Sequence, residues 1–310
     1  AIFFGFTGTP IHEENQKFKN TTATVFGNEL HRYSIADGIR DKNVLGFNPS
    51  KVVTYADTDL RRAVALKMAN AATVEDATSN PEKKKIFYDY MDSDKVKMAG
   101  YRGKDGKYVK GIEDWIHRSQ YWLDEHRNAI IKDIADNWVQ LSRASKFHAL
   151  FATSSIAEAI EYYRLMKASL PHLNIAALFD PNLDHRAGIE FKEDGLVEIL
   201  EDYNRKFDQD FSLTTYNQYR KDIASRLAHK RPYEHIDRKP DQQIDLLIVV
   251  DQMLTGFDSK WVNTLYLDKV LRYESVIQAF SRTNRLFGSD KPFGTIRYYR
   301  YLNTMERNIN

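Results

Sequence analysis

The hydrophobic pattern of this 310-residue chain is dominated by one nearly unbroken apolar run close to residue 250. Six of the seven residues from Ile244 to Val250 are apolar and several are β-branched, which is typical of a strand buried on both faces of a parallel sheet. Open α/β sheets bind ligands where such strands emerge at their carboxyl edge. Leu254–Asp258 (LTGFD) follows there with a hydroxyl, a glycine and a carboxylate. The run therefore predicts the centre of the fold and one side of a site.

Further apolar runs alternate with helical periodicities along the rest of the chain. The pattern predicts strands at Ala1–Phe6, Lys51–Tyr55, Lys146–Thr153, Asn174–Phe179, Thr264–Leu267 and Gly294–Tyr301. It predicts helices at Ile156–Lys167, Leu196–Phe207, Thr214–His229 and Glu274–Arg285, and an interrupted helical segment over Asp57–Arg143. A series of this kind is typical of an α/β fold with a parallel sheet.

The same pattern divides the chain into three parts. We expect residues 1–50 to hold a strand and a connection, 51–145 to be mainly helical, and 146–310 to form a complete α/β lobe. The chain begins with alanine inside a predicted strand. We therefore expect that it is a fragment of a longer polypeptide.

Small polar residues follow the predicted strand that ends at Thr153. Ser154 or Ser155 can cap the next helix. The free amides at a helix N-terminus, together with the helix dipole, also form a site for phosphate. The sequence leaves both interpretations open, because simple capping explains the same residues.

The segment after the apolar run places more polar groups near one another in sequence. Gly256 permits a close backbone approach, Thr255 offers a hydroxyl to a phosphate, and Asp258 can accept from ribose hydroxyls or hold an arginine. Spacings of four and three residues put three polar side chains on one face of the predicted helix, namely Gln278, Arg282 and Arg285. The planar fork of arginine matches phosphate oxygens two at a time.

Taken together, these segments resemble motifs III to VI of superfamily 2 helicases and translocases. The forms GFTGTPI, LLIVV, LTGFD and LDKVLRYESVIQAFSRTNR are similar to those of type I restriction enzyme motor subunits, and KFHALFAT matches the position of motif IV. The resemblance implies a RecA-like second motor lobe in a subunit that translocates and cleaves DNA at the expense of ATP. The rival interpretations are another superfamily 2 motor, such as a chromatin-remodelling ATPase or an RNA helicase, and a non-catalytic DNA-binding module.

The resemblance also implies a role for each matching residue. It makes Arg282 and Arg285 arginine fingers, with Gln278 orienting a phosphate oxygen or water. It puts Gly256 and Asp258 near the nucleotide. The residues implied to contact the DNA backbone are Thr153, Ser154, Ser155 and Thr255, and those implied to couple the nucleotide state to DNA are Thr7, Gly8 and Thr9.

The expected cofactors are ATP and Mg²⁺, bound mainly by a first lobe. The sequence contains no G-x-x-x-x-G-K-[ST] phosphate loop, no Asp-Glu pair after a buried strand and no nuclease cluster, so we expect those parts upstream of residue 1. We expect this chain alone to be inactive. The implied partners are double-stranded DNA and the modification and specificity subunits of a restriction complex.

Composition adds little to this interpretation. The 45 lysines and arginines nearly balance 43 acidic residues, so the net charge of +2 does not select a partner. The absence of cysteine excludes disulfides and the usual zinc sites, and we predict no metal site and a cytoplasmic location. No run approaches the roughly 20 apolar residues of a membrane span.

Overall fold

The protein is described here by a computed structural model covering residues 20–180, 189–250 and 257–310, with backbone alone for 189–192. The strands of these described residues are β1 (Phe47–Lys51), β2 (Tyr101–Arg102), β3 (Tyr108–Val109), β4 (His148–Thr153), β5 (Ile175–Leu178), β6 (Leu246–Val249), β7 (Val262–Asp268) and β8 (Gly294–Tyr298). Six of them form one sheet in the order β1-β8-β7-β4-β6-β5, and every neighbouring pair is parallel. The predicted α/β fold with a parallel sheet is confirmed.

Helices surround this sheet and connect its strands. The α-helices of the described residues are α1 (Thr22–Phe26), α2 (Ile35–Arg40), α3 (Asp57–Met68), α4 (Val74–Ser79), α5 (Pro81–Met91), α6 (Asp124–Leu141), α7 (Ile156–Ser169), α8 (Ile189–Phe207), α9 (Tyr216–Ala228), α10 (Glu274–Phe280) and α11 (Leu302–Ile309). α7 packs on β4, β5 and β6, and α6 and α8 pack on α7. None of the helices among the described residues is long and apolar enough to cross a membrane.

Three of the four inner strands are buried along their whole length, because helices and neighbouring strands cover them. Every residue of β4, β6 and β7 is buried. A parallel strand buried on both faces needs a continuous apolar run instead of alternation, which is why the pattern located these strands well. Pairing extends β7 beyond the predicted Thr264–Leu267 at both ends.

The position of the edge strand β1 was predicted wrongly. The apolar segment Lys51–Tyr55 was predicted as a strand, but β1 is Phe47–Lys51 (FNPSK) and pairs with β8. Pro49 is tolerated because only one side of an edge strand is hydrogen-bonded. The apolar residue Val53 is instead 62 % exposed. β1 also spans residues on both sides of the predicted boundary between residues 50 and 51. The division of the chain into three parts remains a prediction.

The segment before β4 has a small core of its own. Ala65, Ala69, Ala77 and Phe87 from α3 to α5 pack together, separate from the core around the sheet. α6 belongs to the larger core through Ile130, Ile134 and Trp138. The residues 51–145 thus combine an outlying helical group with one long helix that packs against the lobe.

Candidate functional site

The end of β4 leads directly into α7. Ser155 caps this helix, since its hydroxyl accepts a hydrogen bond from the Glu158 amide at 3.2 Å. Ser154 is exposed, and its hydroxyl donates to the Asp268 carbonyl at 3.3 Å. Thr153 is fully buried, and its hydroxyl donates to the Ser155 carbonyl at 3.1 Å. Of the three predicted DNA-backbone residues at this strand end, Ser154 is exposed, Ser155 is partly buried and Thr153 lies beneath them.

A buried charged network, which the sequence analysis missed, supports this strand end. Asp268 ends β7 and accepts hydrogen bonds from His126 Nε2 (2.8 Å), from the Tyr162 hydroxyl (2.8 Å) and from Arg300 Nε and Nη2 (2.6 Å each). Arg300 Nη2 also donates to Glu158 Oε2 at 2.7 Å. The side chains of Asp268 and Arg300 are 0 % and 4 % exposed. The network joins α6, α7, β7 and the end of β8.

The network reaches the surface at two places. Arg300 Nη1 lies 3.5 Å from the Ser154 hydroxyl, and Glu158 Oε1 accepts from Trp122 Nε1 at 2.8 Å. Burial alone would raise the pKa of Asp268, but the charge of Arg300 and the hydrogen bond from His126 lower it to about 2. Burial likewise opposes the charge on Arg300, yet the Asp268 carboxylate holds the Arg300 pKa above its ordinary value. Both groups are therefore ionised at neutral pH.

The helix before the predicted arginines is shorter than the sequence pattern predicted. α10 ends at Phe280, so the prediction of a helix through Arg285 is wrong. The backbone turns there because the amide and the hydroxyl of Thr283 both donate to the Phe280 carbonyl at 2.9 Å. Arg282 and Arg285 consequently lie in the turn after α10, and do not share a helix face with Gln278.

Arg282 is half-buried and braces this turn. Its Nε donates to the backbone carbonyl of Gln278 at 3.1 Å, and its Nη1 donates to the carbonyl of Phe257. Burial lowers the pKa of Arg282, and the neighbouring charge of Arg285 lowers it further. Arg282 therefore ties the end of the loop that precedes β7 to α10. Gln278 contributes its backbone carbonyl to this contact, and its side chain is half-buried.

Arg285 is more exposed than Arg282 and pairs with a carboxylate. Its Nε lies 2.5 Å from Asp258 Oδ1, and the two side chains are 42 % and 63 % exposed. The structure thus brings Asp258, Arg282 and Arg285 together. Thr255 and Gly256 lie outside the described residues, as do Thr7, Gly8 and Thr9.

Lys291 is buried close to the Asp258–Arg285 pair, and the sequence provided no indication of this burial. It is 1 % exposed, and its Nζ donates to the carbonyls of Lys260 (3.0 Å) and Val262 (2.7 Å). Burial lowers the pKa of Lys291 to about 7, and the charge of Arg285 acts in the same direction. A lysine in the segment GSDKPFG is typical of a surface loop, so its burial could not be read from its neighbours.

The Asp258–Arg285 pair and Ser154 lie toward opposite ends of β7. Asp258 and Arg285 are beside Lys291, which contacts the first residue of the strand, Val262, whereas Ser154 contacts the last, Asp268. Seven residues of strand span roughly 20 Å. From the sequence we expected Asp258 at the carboxyl edge of the sheet with the rest of LTGFD, and this expectation is wrong for Asp258. The chain has crossed to the amino end of β7 by residue 258.

Comparison with known proteins decides which family these features belong to. Residues 145–301 match the family described as type I restriction enzyme subunit R domain 3, which is more than half of the 310 residues. The chain belongs to this family. Residues 1–85 match the SWI2/SNF2 ATPase family. The predicted resemblance to type I restriction motor subunits is confirmed.

Curated relatives extend the match over nearly the whole chain. The type I restriction enzyme SauCOLORF180P endonuclease subunit of Staphylococcus aureus (strain COL) is 35 % identical over 97 % of this chain and 28 % of its own length. The HindI endonuclease subunit of Haemophilus influenzae is 36 % identical over 93 % of this chain and 22 % of its own length. The chain therefore spans about a quarter of the R subunits that it matches.

Among solved structures, a similar chain is the ATP-dependent type ISP restriction-modification enzyme LlaBIII bound to DNA. It has 10 % sequence identity and a TM-score of 0.36, over 93 % of this chain and 14 % of that one. The R subunit domain 3 match includes both groups described above, from Ser154 through Arg285 to Arg300.

Proposed function

We propose that this chain is the second motor lobe of a type I restriction R subunit, which moves along double-stranded DNA by hydrolysing ATP. In this proposal Arg285 reaches a terminal phosphate across a cleft to a first lobe, and Arg282 holds the turn that presents it. Ser154 and Ser155 contact the DNA backbone. The observation that carries the proposal is the half-exposed Arg285 beside Asp258, set at the opposite end of β7 from the exposed Ser154.

The residues present fit a phosphate group but not a metal ion. Bound ATP supplies a γ-phosphoryl group, and charge on its oxygens must be stabilised during transfer. An arginine fork suits that task, and Arg285 needs only to leave a surface ion pair, which is worth about 0 to 1 kcal/mol. Among the described residues no group of three acidic or histidine side chains could hold Mg²⁺. We therefore assign magnesium and most nucleotide contacts to a first lobe.

At the other end of β7 the proposed partner is the phosphate backbone. The first turn of α7 has free amides, and the exposed Ser154 presents a hydroxyl beside them. Contacts to phosphates fix position without reading sequence. Sequence recognition is accordingly assigned to partner subunits, the specificity and modification subunits of a restriction complex. Thr255 remains a proposed contact to the DNA backbone. Thr7, Gly8 and Thr9 remain proposed to couple the nucleotide state to DNA.

This assignment predicts that the 310-residue chain alone does not turn over ATP, because its sequence contains no phosphate loop and no Asp-Glu pair after a buried strand. Steady-state phosphate release would be measured with and without duplex DNA. We expect no release above buffer. An Arg285→Ala variant is the control for contamination: turnover that is stimulated by DNA and abolished by this substitution would contradict the assignment.

A second expectation concerns the strand end. Ser154→Ala in the complete subunit should weaken duplex binding by roughly three- to tenfold, because one phosphate hydrogen bond is lost. The loss should be equal on duplexes of unrelated sequence. Fluorescence anisotropy at fixed salt measures it, with Ser93→Ala, an exposed serine in the helical segment, as the matched control. Unchanged affinity for every duplex, or a loss on one sequence only, would reject the contact.

The rival interpretations are separated by these measurements together with co-purification of the complete subunit with modification and specificity subunits. A chromatin-remodelling or other superfamily 2 ATPase would show the ATP and DNA dependence without assembling with modification and specificity subunits. A non-catalytic DNA-binding module would bind duplex DNA, and substitution of Arg285 would leave every activity of the assembly intact.

A further inference from the structure

The β2–β3 hairpin is a separate ribbon that projects from the helical segment. It pairs Tyr101 with Val109 and Arg102 with Tyr108 and does not join the six-stranded sheet. Its tip is a closed turn, in which the Gly103 amide donates to the Lys107 carbonyl at 2.8 Å. Gly106 has a φ of +78°, a conformation that suits glycine. The hairpin therefore has a defined shape although it packs on no core.

The base of the hairpin is fixed to the body of the protein. The Tyr108 hydroxyl donates to both Asp114 oxygens at 2.9 and 3.0 Å, and the Gly111 amide donates to Asp114 Oδ2 at 2.8 Å. Lys110 Nζ lies 4.2 Å from the centre of the Trp115 ring. These contacts hold the direction in which the ribbon projects, so the charges on it are presented from a fixed place.

The cations on this ribbon differ from the other lysines nearby. Lys95 and Lys97 are paired with Asp89 and Asp94. Lys107, in contrast, is 84 % exposed and only reaches Asp105 at 3.9 Å. Across the part of the chain that the structure describes, neither Arg102 nor Lys104 has a carboxylate within ion-pair distance. The ribbon thus presents three exposed cations and one carboxylate, which suits a polyanion.

We propose that the β2–β3 hairpin is a further contact for the phosphate backbone of duplex DNA, made by Arg102, Lys104 and Lys107. The inference rests on the proposed function, which makes duplex DNA the partner. A two-stranded ribbon is narrow enough to enter a major groove, and cations along it would meet the phosphates on either side. Tyr101 and Tyr108 are 43 % and 50 % exposed on the same ribbon. The contact is independent of sequence and lies outside the motifs that the lobe shares with other motors.

The experiment is a salt titration of duplex binding by the full chain, comparing two triple variants. The first replaces Arg102, Lys104 and Lys107 by alanine. The matched control replaces three exposed cations at or just after α9, Arg220, Lys221 and Lys230, by alanine. The two sets lie on opposite sides of the sheet. α9 lies at the β5 edge, because the Tyr219 hydroxyl donates to a β5 carbonyl. The hairpin lies at the β1 edge: Glu113, next to the hairpin in sequence, accepts a hydrogen bond from α11, and Lys51 of β1 forms an ion pair with α11.

Three lost phosphate contacts should reduce the slope of log affinity against log salt by about 3 and weaken binding more than about tenfold at 0.1 M salt. The control should keep the parent slope. A variant with lysine at position 102 and arginine at positions 104 and 107 retains all three charges and should also keep the parent slope. Circular dichroism should show equal melting of all variants, because the hairpin packs on no core.

Two results would overturn the inference and leave the proposed function intact: a hairpin variant with the parent slope, or equal losses in the hairpin and control variants. A hairpin variant that binds DNA normally but no longer assembles with other subunits would likewise reject it in favour of a protein partner. If the parent chain and the complete subunit both failed to bind duplex DNA, the proposed function and this inference would fall together.

Discussion

Replacing Arg285 by lysine in the complete R subunit is expected to slow DNA-stimulated ATP hydrolysis by about 10³-fold or more, the contribution of an arginine finger in phosphoryl transfer. Lysine keeps the charge but loses the planar fork that binds two phosphate oxygens. Folding and nucleotide binding by a first lobe should be unaffected, since among the described residues Arg285 forms an ion pair at the surface, with Asp258. Single-turnover hydrolysis and DNA translocation both measure the effect.

Arg205→Lys is the matched control for this variant. Arg205 is also a surface arginine paired with an aspartate, Asp202, at 3.0 Å, but it lies on α8, far from the turn in sequence. Its substitution should leave hydrolysis unchanged. A folded Arg285→Lys subunit with hydrolysis near that of the control would show that Arg285 does not act on the phosphate.

Arg282 should respond differently, because its fork already serves two backbone carbonyls. Arg282→Lys is expected to lower both hydrolysis and thermal stability, whereas Arg285→Lys lowers hydrolysis alone. The pair of variants thus separates the arginine that reaches a ligand from the arginine that holds the turn.

The second large effect is on stability. Arg300→Met is expected to destabilise the protein by about 3 to 5 kcal/mol, because it leaves the buried carboxylates of Asp268 and Glu158 without their cation. Arg164→Met removes an ion pair of similar length, 2.6 Å to Glu198, but a half-exposed one. It should cost less than about 1 kcal/mol. Urea unfolding of both variants measures the difference, and equal shifts of the midpoint would contradict the buried network.

The pH dependence gives a further test of this network. The folded pKa of Asp268, about 2, lies below its ordinary value of 3.8. The carboxylate therefore stabilises the fold above about pH 4, and this contribution is lost as the pH falls toward 2. In Arg300→Met the main attraction is gone and burial raises the pKa of Asp268 instead. Acidification from neutral pH should then partly restore the stability of the variant.

The sequence predicted β4, β5, β6 and the middle of β7, because strands that are buried along their whole length are rich in apolar residues. It failed at β1, because an edge strand is satisfied by polar residues such as Asn48 and Ser50. It also overextended α10. The spacing of Arg282 and Arg285 is helical, but the bonds from Thr283 to Phe280 end the helix before them.

For the candidate site, the sequence offered individual residues, but it predicted neither their arrangement nor the buried charged residues around them. Motif resemblance selected Ser154, Arg282 and Arg285, whose neighbours in sequence form recognisable strings. The buried partners of Asp268 could not be found this way, because His126 and Arg300 are 142 and 32 residues away from it. One signal was present: Asp268 follows directly after the predicted strand Thr264–Leu267, and Arg300 lies near the end of the predicted strand Gly294–Tyr301. A charged residue at the end of a buried strand is either exposed or paired.

In the proposed motor, β7 separates the phosphate contact at Arg285 from the DNA contact at Ser154. A phosphate bound at Arg285 and a DNA backbone held at Ser154 would sit at opposite ends of one rigid, fully buried strand. Movement of the lobe on nucleotide binding would therefore displace the DNA contact as a unit.

The most direct measurement is a structure of the complete R subunit with duplex DNA and a non-hydrolysable ATP analogue. We predict that the Arg285 guanidinium has left Asp258 and lies within hydrogen-bond distance of the terminal phosphate, while Ser154 faces a DNA phosphate. An Arg285 still paired with Asp258 in that complex, with the terminal phosphate held by other groups, would contradict it.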